Sequence, residues 1–189
     1  MELRIGCSGW MYAHWRGVFY SPGVPTARWL EHYCTRFDTV ELNASFYRWP
    51  SERTVQGWPG RTPPGFRFAV KVTRRVTHLQ RLRDCEGTLA AFIERVRPLG
   101  ERLGPLLYQL PPSMQRDDAR LAAFLELLPR DLLHAFEFRH RSWWADGVFE
   151  LLRARGAAFC VYHLGGEQTP VVATSDEAYV RFHGPAGAY

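Results

Sequence analysis

Along much of the chain apolar and polar residues alternate with a period of two, and between those stretches the apolar positions move to helical spacing. A first strand is predicted at ELRIGCS (2–8), followed by an aromatic loop, GWMYAHWRGVFYSPG. TARWLEHYCTRF (26–37) reads as a helix, with Trp29, Tyr33 and Phe37 on one stripe. TVELNAS is a second strand, SERTVQGW a short helix capped by Ser51, and FRFAVKV a third strand. TLAAFIERVRPLG is a helix closed by Pro98 and Gly100, and PLLYQLPP is a strand stopped by two prolines. In DDARLAAFLELLP the acids open an amphipathic helix that buries Leu121, Phe124, Leu125 and Leu128. LLHAFEFRH is a fifth strand, and SWWADGVFELLRARG is a helix stopped by Gly156. AAFCVYHL and AYVRFHG are the sixth and seventh strands, joined by a helix-free stretch.

Strands that alternate with helices predict parallel βα units. No linker, composition shift or low-complexity run divides residues 1–189, so a single domain is expected. Seven repeats fit an α/β fold of the TIM type, a (β/α) barrel with seven strands visible. Such a barrel usually takes about 250 residues, so the eighth strand and the C-terminal helices read as missing and the barrel as incomplete. A doubly wound open sheet is the alternative, but no GxGxxG or Walker loop follows the first strand.

Parity then separates the two faces of these strands. Val40 and Leu42 oppose Glu41 and Asn43, and Val70 and Val72 oppose Lys71. Gln109 shares its face with Leu107. In HAFEFRHRSWW (134–144), Glu137 and Arg139 oppose Phe136 and Phe138; in AYVRFHG, Arg181 and His183 oppose Val180 and Phe182. Five strands thus place a polar group late, on one parity. Each residue alone could be one half of a structural ion pair. Together they predict a polar mouth at the C-terminal ends of barrel strands, where ligands bind.

Residue types suggest the chemistry. Arg139, Arg181 and Lys71 suit a phosphate or carboxylate. Glu41 or Glu137 could act as general acid or base, and His183 could share that role. Lys71 could also form a Schiff base. Asn43 and Gln109 would orient a polar substrate. One His and two Glu make a sparse metal site, so no metal ligand set is assigned and no cofactor is expected; a divalent ion has only weak support. Trp10, Tyr12 and Trp15 either pack beneath the long first loop or stack on a base or sugar, and Trp143 and Trp144 carry the same two readings.

Composition narrows the setting. The 189 residues are 46% hydrophobic and 23% charged, with a net charge of +5. No apolar run approaches the roughly 20 residues of a membrane span, so no membrane partner is expected. The N-terminus lacks a signal-peptide pattern. The cysteines, Cys7, Cys34, Cys85 and Cys160, form no CxxC and read as reduced thiols of a cytoplasmic protein. The positive charge admits a small anionic ligand, with nucleic acid as the alternative partner. Lys71 is the sole lysine beside 23 arginines, which hints at a need for a compact ammonium there.

Six stretches taken together, GCSGWMYAHWRGVFY, VELNASFYRWP, FAVKVTRRVTH, LGPLLYQLPPS, HAFEFRHRSWW and YVRFHG, resemble in order the motifs of the YecE-like family, also called the domain of unknown function 72 (DUF72) family. The likeness spans essentially the whole chain. It implies a TIM-barrel fold and a C-terminal part whose eighth strand carries an asparagine-rich motif. Cys7 stands where the family usually has Thr, and Ala44-Ser45 where Ser/Thr-Thr is usual. The family's motif positions match Glu41, Asn43, Tyr47, Lys71, His78, Gln109, Glu137, Arg139, Arg181 and His183, which implies one shared site; Tyr47, His78 and Trp10 join it as binding candidates. The resemblance supplies no reaction. A likeness to barrel endonucleases would require a rich metal cluster, which this sequence does not show. The leading expectation is an enzyme for a small anionic, phosphorylated substrate, such as a hydrolase or lyase. The alternatives are a nucleic-acid-binding or nuclease-like protein and a non-catalytic metabolite-binding barrel.

Overall fold

The computed structural model describes residues 2–184. The chain divides into two compact units, Met1–Thr73 with Ala90–Gly104 and Arg74–Leu89 with Pro105–Tyr189. Strands alternate with helices along the chain, so the protein is of the α/β class.

In the first unit a 3-10 turn at Thr26–Arg28 runs into α1, Trp29–Tyr33, shorter than its apolar stripe suggests. β1, Thr39–Leu42, pairs in parallel with β2, Arg67–Lys71, with Glu41 opposite Ala69. Between them lies α2, Glu52–Gly57, whose first turn is capped by Ser51 accepting from the Thr54 amide. The core is aromatic: Tyr20 stacks on Trp29 at 4.2 Å, and Trp58 stacks on Phe68 at 5.6 Å.

The segment expected as the first strand, 2–8, is not one. Its ladder groups go to side chains: the Ile5 amide to Asp38 Oδ1 and the Cys7 amide to Tyr33 Oη. The Cys7 carbonyl meets β1 directly, accepting from the Glu41 amide at 2.9 Å. The approach is so close that a Cβ on Gly6 would sit 2.1 Å from the Thr39 carbonyl oxygen, which glycine alone permits. The second predicted strand is also cut short. Ser45 Oγ reaches the carbonyls of Leu42 at 2.6 Å and Lys71 at 2.7 Å, and the chain turns into a 3-10 helix at Ala44–Phe46.

α3, Glu86–Val96, carries the chain from the second unit back to the first, and β3, Leu103–Leu110, lies almost wholly in the second. There α4, Asp118–Glu126, precedes β4, His134–Phe138, and α5, Asp146–Arg155, precedes β5, Ala158–Leu164. A two-residue strand β6, Glu167–Gln168, pairs antiparallel with β5, and β7, Tyr179–Phe182, pairs parallel with it. β3, β4, β5 and β7 therefore form a parallel run in which Gln109 is opposite Glu137 and Tyr162 is opposite Arg181. Leu121, Phe124, Leu125 and Leu128 are buried as their spacing requires. Arg155 of α5 donates to the Leu125 carbonyl of α4 at 2.7 Å. Gly156 ends α5 at φ 67°, the left-handed conformation expected of its stop.

After β2 the chain forms a π-helical turn, Arg75–Leu79, and then holds Arg81, Leu82 and Asp84 at φ 50°, 65° and 44°. Three non-glycine residues in that region are unusual. Leu82 is fixed there by its amide on the Val76 carbonyl at 3.0 Å, and the Gln80 side-chain amide holds the Asp84 carbonyl at 2.7 Å.

Candidate functional site

One face of the second unit's sheet starts small and apolar and turns polar along the strands. Leu107, Ala135, Ala158 and Cys160 form a buried layer with Tyr179 packed against it. One step later on the same face come Gln109, Glu137, Tyr162 and Arg181, as the parallel register demands. The opposite face of β4 stacks Phe136 on Tyr108 at 4.8 Å and Phe138 on Trp143 at 4.9 Å.

Glu137 is fully buried. Its Oε1 accepts from Arg139 Nε, and its Oε2 accepts from Arg181 Nη1 at 2.5 Å. Cys160 Sγ lies 3.9 Å from the same Oε2. Burial alone would push the carboxyl up, but the charges of Arg181 and Arg139 and their hydrogen bonds outweigh it and hold Glu137 below the usual carboxylate range. Arg139 is held from three directions. Besides the bond to Glu137, its Nη2 lies 3.0 Å from His183 Nε2, and its guanidinium sits over the Tyr162 ring at 4.6 Å. Its Nη1 has no hydrogen-bond partner among the described residues. Burial, reinforced by the charge of Glu167, pushes the Tyr162 phenol up to about 12, so the ring under Arg139 stays neutral. Trp144 donates from Nε1 to the Phe138 carbonyl at 3.2 Å and meets Tyr162 edge-on at 6.4 Å.

Four of the sequence-predicted residues, Glu137, Arg139, Arg181 and His183, are thus brought into direct contact. Gln109 is their register neighbour on β3. His78 lies in the π-helical turn with Nδ1 2.9 Å from Thr77 Oγ1. In the first unit, Glu41 and Lys71 are buried and share one face of the β1–β2 pair. The Lys71 ammonium sits 4.2 Å above the Phe46 ring. Asn43 follows β1, and its buried Oδ1 has no hydrogen-bond partner among the described residues. Tyr47 is exposed and meets Phe46 edge-on. Trp10 packs edge-on against Trp58 at 5.8 Å, and its carbonyl accepts from Tyr20 Oη at 2.6 Å. Tyr12, Trp15, Phe19 and Tyr20 continue that aromatic cluster, which is the packing reading of the loop. Trp143 is wholly buried, with Nε1 on the Met114 carbonyl at 2.7 Å.

Cys160 and Tyr162 are the members that sequence reasoning missed. Both stand on one parity of AFCVYHL, at its third and fifth residues, so cross-strand register was the signal that could have found them. A cavity of about 370 Å³ opens in the second unit at the other end of the strands, lined by His134, Arg153, Ala158, Asp176 and Tyr179 among others. The charged cluster is not there; it stands at the C-terminal ends, where parallel strands present ligand sites. Among the described residues no group of three or more His, Cys, Asp or Glu side chains could hold a metal ion. No helix among them is long and apolar enough to cross a membrane. All four cysteines are free, Cys85 and Cys160 being buried.

Residues 4–189 match the family described as protein of unknown function DUF72. The UPF0759 protein YecE of Escherichia coli (strain K12) is 31% identical over 155 residues, covering 82% of this chain and 54% of YecE. The UPF0759 protein YunF of Bacillus subtilis (strain 168) is 29% identical over 200 residues, covering 96% and 70% of the two chains. The chain thus spans about half the length of YecE. A solved DUF72 family protein from Thermotoga maritima MSB8 superposes with a TM-score of 0.83 at 34% identity, covering 96% of this chain and 74% of that one. A second, from Enterococcus faecalis V583, reaches 0.79 at 21% identity over 98% and 72%, a likeness of fold alone.

Proposed function

The chain belongs to the DUF72 family, and from that premise we propose that its second unit binds a small anion, a phosphate or carboxylate group of a metabolite, through Arg139 and Arg181. The observation that carries this reading is Arg139 itself. A guanidinium held by a buried carboxylate, an imidazole and an aromatic ring still has Nη1 to offer. Its orientation is set before any ligand arrives, so little entropy is lost on binding.

In this reading Glu137 moves no proton. A carboxylate with both oxygens on guanidiniums, held below its usual range, is a weak base and carries no proton to give. Its work is to hold two guanidiniums side by side. The TIM-type barrel belongs to the same proposal: parallel neighbours β3, β4, β5 and β7 have the register of four adjacent barrel staves.

Calorimetric titration with inorganic phosphate tests the reading. The wild type binds, and Arg139→Ala lowers affinity by about tenfold or more, because a charge-assisted hydrogen bond is worth ~1.5–3 kcal/mol. Arg141→Ala, which removes an exposed arginine paired with Glu167, leaves affinity unchanged. No phosphate binding by the wild type, or equal losses in both variants, sinks the proposal.

A further inference from the structure

Trp143 and Trp144 are neighbours in the sequence, and the 3-10 turn Arg141–Trp143 sends them to different places. Both tie the indole N–H to a backbone carbonyl, Trp143 to that of Met114 at 2.7 Å and Trp144 to that of Phe138 at 3.2 Å. Trp143 is wholly buried and stacks on Phe138, which is packing. Trp144 stays half-buried, with its indole N–H already bonded. What it still presents is ring surface in a fixed orientation. We propose that the anion taken by Arg139 is the phosphate of a nucleoside monophosphate, and that Trp144 is the platform on which its base stacks. This rests on the anion-binding reading above and names the ligand class for that site.

Tyr162 is the shared neighbour of the two groups. The Arg139 guanidinium lies 4.6 Å above its ring, and the Trp144 indole meets it edge-on at 6.4 Å. The phosphate donor and the indole are therefore set apart by one buried aromatic ring, the kind of gap that a ribose bridges between phosphate and base. The indole is also reached from solvent. Arg141, whose side chain is 74% exposed, holds its guanidinium over that ring at 5.8 Å while its Nε donates to Glu167 at 2.6 Å. An exposed ion pair of this kind contributes little, so an incoming base readily takes the place of the guanidinium. Every base has a π-face, so the platform by itself does not select among bases.

Calorimetric titration with inorganic phosphate, ribose phosphate, adenosine and adenosine monophosphate separates the parts. The wild type binds adenosine monophosphate about tenfold more tightly than ribose phosphate, the worth of one stacked base. Trp144→Leu removes that advantage and keeps inorganic phosphate within roughly threefold of the wild-type affinity. Trp144→Phe, which keeps an aromatic face, retains part of the advantage. Equal wild-type affinities for adenosine monophosphate and ribose phosphate overturn the inference without any variant, and leave the anion-binding reading standing if phosphate binds. A Trp144→Leu chain that loses inorganic phosphate as strongly as the nucleotide also overturns it, because the indole would then only support Arg139. If adenosine binds and needs Trp144 while phosphate does not bind, it is the anion-binding reading that fails. Binding of neither by the wild type ends both.

Discussion

β4 and β7 carry the same alternation, and they bury it differently. On β4 both faces are covered, with Phe136 and Phe138 fully buried on one side and Glu137 on the other. On β7 the polar parity is inside: Arg181 and, just past the strand, His183 are buried, while Val180 is 48% and Phe182 80% exposed. Ordinary burial preferences predict the reverse. What the two strands share is the polar face, and its members bond one another across β5. Where apolar cover differs and the polar face does not, the polar face is the feature that the strands are organised around.

The sharpest way to break that contrast is to remove the carboxylate. Glu137→Ala leaves two guanidiniums facing each other and should cost about 3–5 kcal/mol of stability. Urea unfolding measures it, and a cost below that of an ordinary surface change would mean that the cluster is not a clamp. The same residue predicts an acid limb. Because its folded-state pKa lies below the unfolded value of about 4.3, its contribution is fully present above that pH and is lost as pH falls through the folded value. Glu137→Gln should flatten this acid loss in a pH series of thermal melts. Phe136→Leu, on the covered face of β4, should cost about 1.5 kcal/mol through imperfect repacking. Phe182→Thr, on the open face of β7, should stay within about 0.5 kcal/mol of the wild type. A large loss there would show that the exposed face is packed in solution, and the comparison would fall.

Much of this was legible in the sequence because it is local. Period-two alternation in HAFEFR and YVRFHG put Glu137, Arg139, Arg181 and His183 on one parity, and the caps Ser51 and Gly156 act where their residue types say they should. The missing parts depend on distant groups. The expected strand at 2–8 failed because Tyr33 and Asp38 take its amides, which no local pattern reveals. TVELNAS ends early because one hydroxyl, that of Ser45, ties two strand ends together. Among the described residues a count of seven strands is reached with the brief antiparallel β6 in place of the first. Tyr162 under Arg139 needed the register of β5 against β4 and β7. Exposure of Phe182 could not be read from parity, which separates two faces without saying which of them is covered.

The central claim is that Glu137 is an ionised clamp for two guanidiniums. A carbon-13 titration of the side-chain carboxyls, with Glu137 assigned by its Gln variant, reads that state directly. The account predicts that the Glu137 resonance stays at its ionised position down through the ordinary carboxylate range, at about pH 4.3, and moves only in stronger acid. A Glu137 carboxyl that takes up its proton at or above that range would contradict it.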